Sequence, residues 1–384
     1  MHKIKVCQVL NTYQVGGAET VALDVARSLD PGLFESIAVA VIEPRANGEP
    51  EMQRRFRDGG VSAHALYHRS FRDPRTLWDM ARFFRRHRPH IVHGHNRFAD
   101  YWACRTAKWA GVPHRIWTRH SVYRDMRPHQ LTRYRDLAAQ TPVILAVSDA
   151  VRWNCIATEG LPPDKVRTVV NGIDTIRFRP VTAAERGAKR QELGLGHEDL
   201  MLLFVGRLSL PKAPDAFVSL IQVLRERGLP VRGFICGHGE LAPDLAGRCT
   251  AGTGTTLLGV RPDIPGLLGA CDLFVSTSRN EGLPLNIMEA MAAGAPFVAP
   301  DLEQIIQLAS DVSELASGLY RRPPPSGPVP EQWIADWADL TTARLANADL
   351  RRRCGELGRA IIEERFSLRR MVREYEDVYR SLIG

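Results

Sequence analysis

Two glutamates eight residues apart carry the clearest chemical signal in this sequence. Glu281 and Glu289 lie in the segment EGLPLNIMEAMAAG, where a Gly-Leu-Pro turn follows the first glutamate. Carboxylates at this spacing can bind sugar hydroxyls, and the free N–H groups at a helix start can bind a phosphate. An ordinary βα unit with one solvated glutamate and one helix-capping glutamate has the same pattern. The residues alone leave both interpretations open.

The elements around these glutamates place them at the edge of a sheet. The apolar run from Cys271 to Ser278 has the length of a strand and is bounded by small polar residues. Strand, turn and helix in this order put Glu281 at the carboxyl end of a parallel strand, where open α/β sheets bind ligands. We expect Pro284 in the first helical turn, which tolerates its missing N–H. Glu289 then lies about one turn further along.

Two cations follow another predicted strand. The segment VGRLSLPK places Arg207 and Lys212 in a loop that contains Gly and Pro. Cations at this position can neutralise a diphosphate leaving group without a metal. Two solvated loop cations are the alternative.

Glycine loops occur after two of the predicted strands. Gly16 and Gly17, in YQVGGAET, allow backbone N–H groups to approach a ligand closely. The loop lacks the full G-x-G-x-x-G spacing, and Gly237-His238-Gly239 has only part of it. The sequence therefore argues against a dinucleotide site.

Histidines follow or occupy two further strands. His120, in IWTRHSV, lies just past a strand end, where it can bind a sugar hydroxyl or serve as an ordinary hydrogen-bonded histidine. His93 and His95, in IVHGHN, have no third ligand at a diagnostic spacing, so we predict no metal site.

Composition describes a two-domain protein of a reducing compartment. The chain has 384 residues, which suits two domains better than one core. Seven cysteines with no C-x-x-C spacing argue against a disulfide framework. No apolar run approaches 18 residues, and the start MHKIKVCQVLNTY does not resemble a secretory signal. We therefore predict a cytoplasmic protein without a membrane span.

The positive charge is concentrated in the first half. The net charge is +8, and residues 1–180 carry 28 Lys and Arg against 17 Asp and Glu. Such a balance favours an anionic partner such as lipid head groups, a lipid-linked phosphate or nucleic acid, but it also fits an arginine-rich solvated surface. The helix from Leu77 to Pro89 mixes Trp78 with arginines, as an interfacial helix or a sheet-covering helix does. No base-stacking or groove-reading element is present, which argues against nucleic acid.

Strands and helices alternate in two series, which predicts two parallel sheets covered by helices. A charged, weakly apolar stretch at residues 181–199 is the predicted linker, and two Rossmann-like lobes on either side leave a cleft for a ligand. The strands that we predict are Lys5–Leu10, Ser36–Ile42, Ile91–His93, Arg115–Thr118, Val143–Val147, Leu200–Leu208, Val231–Gly239, Thr255–Gly259, Asp272–Thr277 and Pro296–Ala299.

Taken together, five segments make the chain resemble the retaining GT-B glycosyltransferases of family 4. They are VGGAET, VVNGIDTIRFRP, VGRLSLPK, the long run LLGVRPDIPGLLGACDLFVSTSRNEGLPLNIMEAMAAGAPFVA and the terminal FSLRRMVREYEDVY. The long run, with its two glutamates, is the most specific of them.

The resemblance implies an α/β GT-B fold with two Rossmann-like domains facing across a cleft. Residues 1–178 would form the acceptor-side domain and residues 179–365 the nucleotide-sugar domain. The C-terminal helix, residues 366–384, would cross back to the first domain. The family needs no metal or other cofactor.

The resemblance also implies roles for individual residues. Arg207 and Lys212 match cations that contact the diphosphate, and Glu281 matches a residue beside the donor sugar. With His120, which matches a donor-sugar contact, these form the predicted catalytic set. Glu289 matches the residue that binds the nucleotide ribose, and Gly17 belongs to the loop near the diphosphate and acceptor. The predicted substrate-binding residues are Gly16, Gly17, Ser148, Asn171, Gly237, Gly282, Leu283, Pro284, Asn286 and Glu289.

One departure from the family pattern follows Ala299. The Gly-Gly loop that is usual there is replaced by PDLEQIIQLASDVSELASGLY, which puts one phosphate contact in doubt. The function implied is transfer of a hexose-type sugar from a nucleoside diphosphate to a hydroxyl of a glycan, lipid-linked saccharide or polysaccharide precursor, with peripheral contact to an anionic membrane. A sugar-nucleotide epimerase and a non-catalytic binding protein of the same fold are the alternatives.

Overall fold

The computed structural model describes residues 3–44, 49–123, 126–250, 252–309 and 312–384. The chain divides into two compact units. Unit 1 comprises Met1–Gly172 and Leu368–Gly384, and unit 2 comprises Ile173–Ser367. The divisions predicted from sequence were placed after residues 178 and 365.

Unit 1 is built on a parallel sheet with the strand order β3-β2-β1-β4-β5-β6-β7. The inner strand β1 (Ile4–Leu10) is buried continuously from Val6 to Leu10, as expected when helices cover both faces of a sheet. The strands are β1 (Ile4–Leu10), β2 (Phe34–Ala40), β3 (Ser62–Ala65), β4 (Ile91–His95), β5 (His114–Arg119), β6 (Ile144–Ala146) and β7 (Val166–Thr168).

Helices connect these strands, and the C-terminal helix, Leu368–Ile383, completes the unit. The buried residues of the C-terminal helix recur every three to four positions, which gives it one apolar face. On that face Tyr379 packs edge-on against Phe34 of β2, with ring centroids 6.1 Å apart. The connecting helices are α1 (Gly17–Ser28), α2 (Glu51–Asp58), α3 (Pro74–His87), α4 (Ala99–Trp109), α5 (Pro128–Ala139) and α6 (Asp149–Ala157).

Unit 2 contains a second parallel sheet with the order β10-β9-β8-β11-β12-β13. The central strand is again apolar, with Met201 to Phe204 buried. The strands are β8 (Leu200–Val205), β9 (Val231–Cys236), β10 (Thr255–Gly259), β11 (Leu273–Val275), β12 (Phe297–Pro300) and β13 (Leu319–Tyr320).

Helices surround this second sheet, and a short 3-10 helix, Leu210–Lys212, follows β8. Trp337 anchors its own helix, Glu331–Ala346, by stacking on Tyr320 of β13, with ring centroids 4.5 Å apart. The helices are α7 (Ala183–Glu192), α8 (Pro214–Glu226), α9 (Ala242–Arg248), α10 (Ile264–Ala270), α11 (Leu285–Ala292), α12 (Glu303–Ala309), α13 (Ser313–Ala316), α14 (Glu331–Ala346) and α15 (Ala348–Arg365).

The Rossmann-like architecture predicted from sequence is confirmed, and three details of the prediction are wrong. The predicted linker contains α7, which packs within unit 2 through an ion pair between Arg186 and Asp272. Strands β3, β7 and β13 were missed. Helix α11 begins at Leu285, so Pro284 is the residue before the helix and does not lie in its first turn. Across the described residues, no helix combines the length and the apolar composition that a bilayer span requires.

Candidate active site

In unit 2, the loops after β8 and β11 bring a lysine and a glutamate into contact. Lys212, at the end of the 3-10 helix, donates to Glu281 across 2.5 Å between Nζ and Oε1. The Glu281 side chain is only 7% exposed and that of Lys212 is 23% exposed. A carboxylate taken this far out of water needs such a partner, so the ion pair fixes both groups at the carboxyl edge of the sheet.

Backbone contacts from the β11 loop hold the lysine turn in place. Ala213 adopts a left-handed conformation with φ 44°, which reverses the chain directly after Lys212. The Thr277 hydroxyl donates to the carbonyls of Lys212 at 3.1 Å and Ala213 at 2.8 Å. The N–H of Arg279 donates to the Pro211 carbonyl at 2.7 Å. These bonds define the position of Lys212 before any ligand binds.

Arg207 is a second cation at this edge. Its side chain is exposed, and its guanidinium has no hydrogen-bond or ion-pair partner among the residues that the structure describes. Of the two cations, Arg207 is therefore available to a ligand without breaking an internal contact, whereas Lys212 has to share its charge with Glu281.

Gly237 shapes the loop that carries Arg207. Its N–H donates to the Gly259 carbonyl, and a Cβ at this position would lie 1.8 Å from the Gly206 carbonyl oxygen. At Gly239, a Cβ would lie 2.3 Å from the Leu208 carbonyl oxygen. Only glycine allows the β8 and β9 loops to approach this closely. The structure thus gives Gly237 a packing role, and its predicted ligand contact stays a prediction.

Helix α11 is fastened to the end of β8 by Asn286, whose side-chain amide donates to the Val205 carbonyl at 2.9 Å. The N–H groups of Leu285 and Asn286 have no acceptor among the described residues, as expected for the start of a helix. Gly282 and Leu283 are buried beneath the turn. Glu289 lies half-buried in the second turn of α11.

Arg279 was not singled out from the sequence, although it lies two residues before Glu281. It is buried and donates to the carbonyls of Pro324 and, at 2.8 Å, of Gly327. It therefore ties the proline-rich connection between β13 and α14 to the edge that carries the glutamate. A buried arginine bound to backbone carbonyls is a structural anchor.

The loop after β12, where the sequence departs from the family, uses its own N–H groups internally. The N–H of Asp301 donates to the Tyr320 carbonyl at 2.8 Å, and that of Leu302 donates to the Pro300 carbonyl. The Asp301 carboxylate accepts from the N–H of Arg322 at 2.8 Å. The Asp301 carboxylate therefore occupies a loop in which the resemblance implies a phosphate contact, and it already accepts one backbone N–H.

In unit 1, the glycines Gly16 and Gly17 form the start of α1. Gly16 is the residue before the helix, its backbone is extended, and its carbonyl accepts the N–H of Thr20 at 2.9 Å. No side chain caps this helix start. The helix start that follows β1 is therefore without a side-chain cap, as a site for an anion would require.

His120 is the outer member of a hydrogen-bonded chain in unit 1. His95 Nδ1 and His120 Nε2 are 2.9 Å apart, and His95 Nε2 lies 2.7 Å from Gln8 Oε1. Gln8 Nε2 donates to the Tyr379 hydroxyl at 3.3 Å. That hydroxyl also lies 2.7 Å from His93 Nδ1. The chain thus links the end of β5 to the C-terminal helix through β4 and β1.

Burial keeps these histidines neutral. It lowers the pKa of His120 to about 3 and holds the pKa of His93 and His95 well below the ordinary range of imidazole. All four ring nitrogens of His93 and His95 are hydrogen-bonded, since His93 Nε2 also lies 2.7 Å from Thr118 Oγ1. Within the described residues no group of three His, Cys, Asp or Glu side chains is placed to hold a metal ion.

Ser148 and Asn171 lie beyond the ends of β6 and β7. The Ser148 hydroxyl accepts from the N–H of Val151 at 3.2 Å and so caps α6. Asn171 is buried, and its Oδ1 has no partner among the described residues. Asn171 therefore retains a free acceptor oxygen for a ligand, whereas the Ser148 hydroxyl already caps α6.

Sequence reasoning missed the inner part of the histidine chain, namely Gln8 and the role of His95. A signal was present: Gln8 interrupts the apolar strand IKVCQVL, and His93 and His95 alternate in IVHGH. Polar residues at period two within buried strands lie on one face of a sheet and need partners there.

The fold is similar to that of several solved glycosyltransferases. HepE of Anabaena, solved in complex with UDP and glucose, superposes with a TM-score of 0.82 at 19% identity, over 98% of this chain and 100% of that chain. WaaG, a glycosyltransferase involved in lipopolysaccharide biosynthesis, gives a TM-score of 0.72 at 16% identity, over 97% and 99% of the two chains. At this level of identity the likeness establishes the fold.

Curated relatives are similar in sequence. One is the UDP-Gal:alpha-D-GlcNAc-diphosphoundecaprenol alpha-1,3-galactosyltransferase of Escherichia coli, 30% identical over 60% of this chain and 62% of its own length. The match thus spans less than two thirds of that enzyme. The D-inositol 3-phosphate glycosyltransferase of Saccharomonospora viridis is 28% identical over 94% of this chain and 82% of its own.

Two family models match consecutive parts of the chain. Glycosyltransferase Family 4 matches residues 15–177, and Glycosyl transferases group 1 matches residues 199–318. The first covers the glycine loop and the three histidines His93, His95 and His120 of unit 1, and the second covers the lysine–glutamate pair and α11 of unit 2. The chain therefore belongs to the family 4 glycosyltransferases of group 1, enzymes with the GT-B fold.

Proposed function

We propose that the chain transfers a hexose-type sugar from a nucleoside diphosphate to an acceptor hydroxyl, with retention of the anomeric configuration. The observation that supports this most directly is the edge of unit 2. There a free arginine, a lysine paired with a buried glutamate and an uncapped helix start all follow β8 or β11. Cations and helix N–H groups stabilise a departing diphosphate, while carboxylates bind hydroxyls.

In the proposed reaction, the bond between the anomeric carbon and the diphosphate oxygen breaks, and the oxygen leaves with the electron pair. Arg207, Lys212 and the start of α11 stabilise the charge that develops on it. The acceptor hydroxyl attacks from the face that the diphosphate leaves, and its proton passes to the leaving phosphate oxygen. Glu281 orients the donor sugar and Glu289 binds the ribose. No metal or other cofactor takes part in this scheme.

Uridine diphosphate hexoses are the donors to test first. The Escherichia coli relative is named for a UDP-galactose donor, and HepE was solved with UDP and glucose. That relative is also named for a diphosphoundecaprenol-linked acceptor. We therefore propose a lipid-linked saccharide or a related envelope polysaccharide precursor as the acceptor here. The epimerase and the non-catalytic binding protein find no support in the family models or in the relatives named above.

A donor screen tests the proposal. Thermal shift and hydrolysis are measured for wild type and for Glu289→Ala against a panel of UDP-, GDP- and ADP-hexoses. We expect one donor to stabilise wild type and to be hydrolysed slowly, with both effects reduced in Glu289→Ala. Glu226→Ala, which removes an exposed glutamate from α8, is the control and should behave as wild type. Absence of any response to all donors and free nucleotides contradicts the proposal.

We further propose that unit 1 contacts an anionic membrane through the outer face of α3, on the cytoplasmic side. Trp78 is 67% exposed and shares this face with Arg82, Arg85 and Arg86. Trp109, 54% exposed at the end of α4, lies beside it, because Arg85 donates to its carbonyl at 3.1 Å. Exposed tryptophans next to arginines suit an anionic interface.

Vesicle sedimentation tests the membrane proposal. With vesicles containing one third anionic lipid, we expect wild type to bind and Trp78→Ala to bind less. Trp153→Ala removes an equally exposed tryptophan, 68% exposed on α6, and should bind as wild type. Equal losses in the two variants, or binding that does not depend on anionic lipid, contradict the placement on α3.

A further inference from the structure

The buried chain from Tyr379 to His120 has a direction, and Gln8 sets it. A neutral imidazole has one N–H and one lone pair, whereas a side-chain amide accepts only through oxygen and donates only through nitrogen. In the structure, the Gln8 oxygen faces His95 and its nitrogen faces the Tyr379 hydroxyl. Each neighbouring group must therefore adopt the complementary protonation.

The orientation of the Gln8 amide determines which nitrogens of His95 and His120 carry a proton. Because Gln8 Oε1 accepts, His95 Nε2 must carry the proton that is donated across 2.7 Å. His95 is neutral, so its Nδ1 is an acceptor, and His120 must donate to it from Nε2 across 2.9 Å. His120 is neutral as well, which leaves its Nδ1 as a lone pair. This nitrogen has no partner among the residues that the structure describes.

Between Gln8 and Thr118, every hydrogen bond can likewise be given one donor and one acceptor. The Tyr379 hydroxyl accepts from Gln8 and so donates to His93 Nδ1 at 2.7 Å. His93 then donates from Nε2 to the Thr118 hydroxyl at 2.7 Å. Among the described residues, ring contacts place these histidines against one another and against the rings of Tyr375 and Tyr379. No carboxylate or cation contacts the three rings through a hydrogen bond among the described residues.

We propose that Gln8, acting through His95, is a positioning residue that fixes His120 as its Nε2–H tautomer, so that His120 Nδ1 accepts a hydrogen bond from a hydroxyl of the sugar substrate. This rests on the proposed function, since it names the ligand group that His120 recognises. An Nδ1 lone pair attracts an O–H donor and repels a phosphate oxygen, which has only lone pairs to offer. His120 therefore selects a hydroxyl over the diphosphate of the donor.

Nitrogen NMR of the free enzyme tests the tautomer directly. Two-bond ¹H–¹⁵N spectra of protein labelled with ¹⁵N-histidine, recorded near pH 7.5, distinguish a protonated from an unprotonated ring nitrogen. His120 is assigned from the signals that are missing in His120→Gln. We expect Nε2 protonated and Nδ1 unprotonated in wild type. Protonation at Nδ1, which would mean that the Gln8 amide is turned over, overturns the proposal.

A variant at Gln8 separates positioning from structural support. Gln8→Met removes the acceptor at similar volume and should give a mixture of tautomers. Thr141→Val, which removes one buried hydrogen bond elsewhere in unit 1, is the control and should leave the His120 signals unchanged. An unchanged tautomer in Gln8→Met overturns the proposal, and if that variant does not fold, the wild-type spectrum still decides.

Kinetics then connect the tautomer to the substrate. With the donor found in the screen, we expect kcat/KM of Gln8→Met to fall about fivefold, which corresponds to one neutral hydrogen bond. Equal values of kcat/KM for wild type and Gln8→Met overturn the hydroxyl contact. Because the spectra need no substrate, failure of the donor screen would refute the proposed function while leaving the tautomer result intact.

Discussion

The pair formed by Lys212 and Glu281 allows stability and donor binding to be separated by mutation. Replacing Lys212 with alanine leaves Glu281, 7% exposed, as a buried carboxylate without its partner. Replacing Glu281 with glutamine leaves Lys212, which is 23% exposed and can turn towards water. We therefore expect the lysine variant to be the less stable of the two.

The magnitudes follow from the burial of each group. An unpaired buried charge costs about 3–5 kcal/mol, and partial access of water through the lysine reduces this to about 2 kcal/mol for Lys212→Ala. Glu281→Gln should cost about 1 kcal/mol. For a unit of this size, about 2 kcal/mol lowers the melting temperature by roughly 4–8 °C. Arg207→Ala, which breaks no internal contact, should leave the melting temperature within about 1 °C of wild type.

Thermal denaturation without ligand, combined with donor titration, measures both effects. Lys212→Ala should lose stability and donor affinity together, while Arg207→Ala should lose donor affinity alone. The double variant Lys212→Ala with Glu281→Gln should be more stable than the sum of the two single losses predicts, because no charge remains unpaired. Equal melting temperatures for Lys212→Ala and Arg207→Ala, or strict additivity in the double variant, would refute the reasoning.

Two further predictions concern the histidine chain and the glycine loop. Burial lowers the pKa of His120 to about 3 and also lowers that of His93 and His95, so the stability that these groups contribute is complete above pH 6.5 and is lost as the pH falls below it. Urea unfolding should therefore show a loss of at least about 2 kcal/mol between pH 7.5 and pH 5.0, and equal stability at the two values would contradict this. Gly237→Ala should lower both stability and donor affinity, because its Cβ would meet the Gly206 carbonyl at 1.8 Å. Gly247→Ala, with nothing within 4 Å, should match wild type in the same thermal and titration assays, and an equally mild Gly237→Ala would show that the two loops can separate freely.

The sheets were predictable wherever a strand is buried on both faces. A short continuous apolar run such as that of β8 is typical of a central parallel strand, and these strands were recognised. β3 has the sequence SAHA and β13 has only two residues, so neither carries an apolar pattern. The sequence predicts a linker where α7 lies, because the stretch is charged and weakly apolar, and the helix indeed has no buried residue. Its capping box, formed by Thr182 and Glu185, was the signal that should have identified it.

The sequence predicts where the candidate site lies, but it does not predict most of the contacts between its residues. Arg207, Lys212 and Glu281 were placed at strand ends because strand order and turn residues define the edge of a parallel sheet. The contact between Lys212 and Glu281 joins residues 69 apart in sequence, and spacing says nothing about such a pair. The close approach at Gly237 and the hydrogen-bonded chain behind His120 depend on how neighbouring strands align. That alignment is a property of the folded sheet.

The return of the C-terminal helix to unit 1 has a consequence for biosynthesis. Gln8 and His93 are buried, and each needs the Tyr379 hydroxyl as a hydrogen-bond partner. While the ribosome is still making unit 2, a nascent unit 1 lacks this partner and holds polar groups inside an incomplete core. Unit 1 should therefore mature only after residues 368–384 have emerged, although its first 172 residues were made long before. Polypeptides released early would carry an unfinished amino-terminal unit, and proteases could recognise them by that defect.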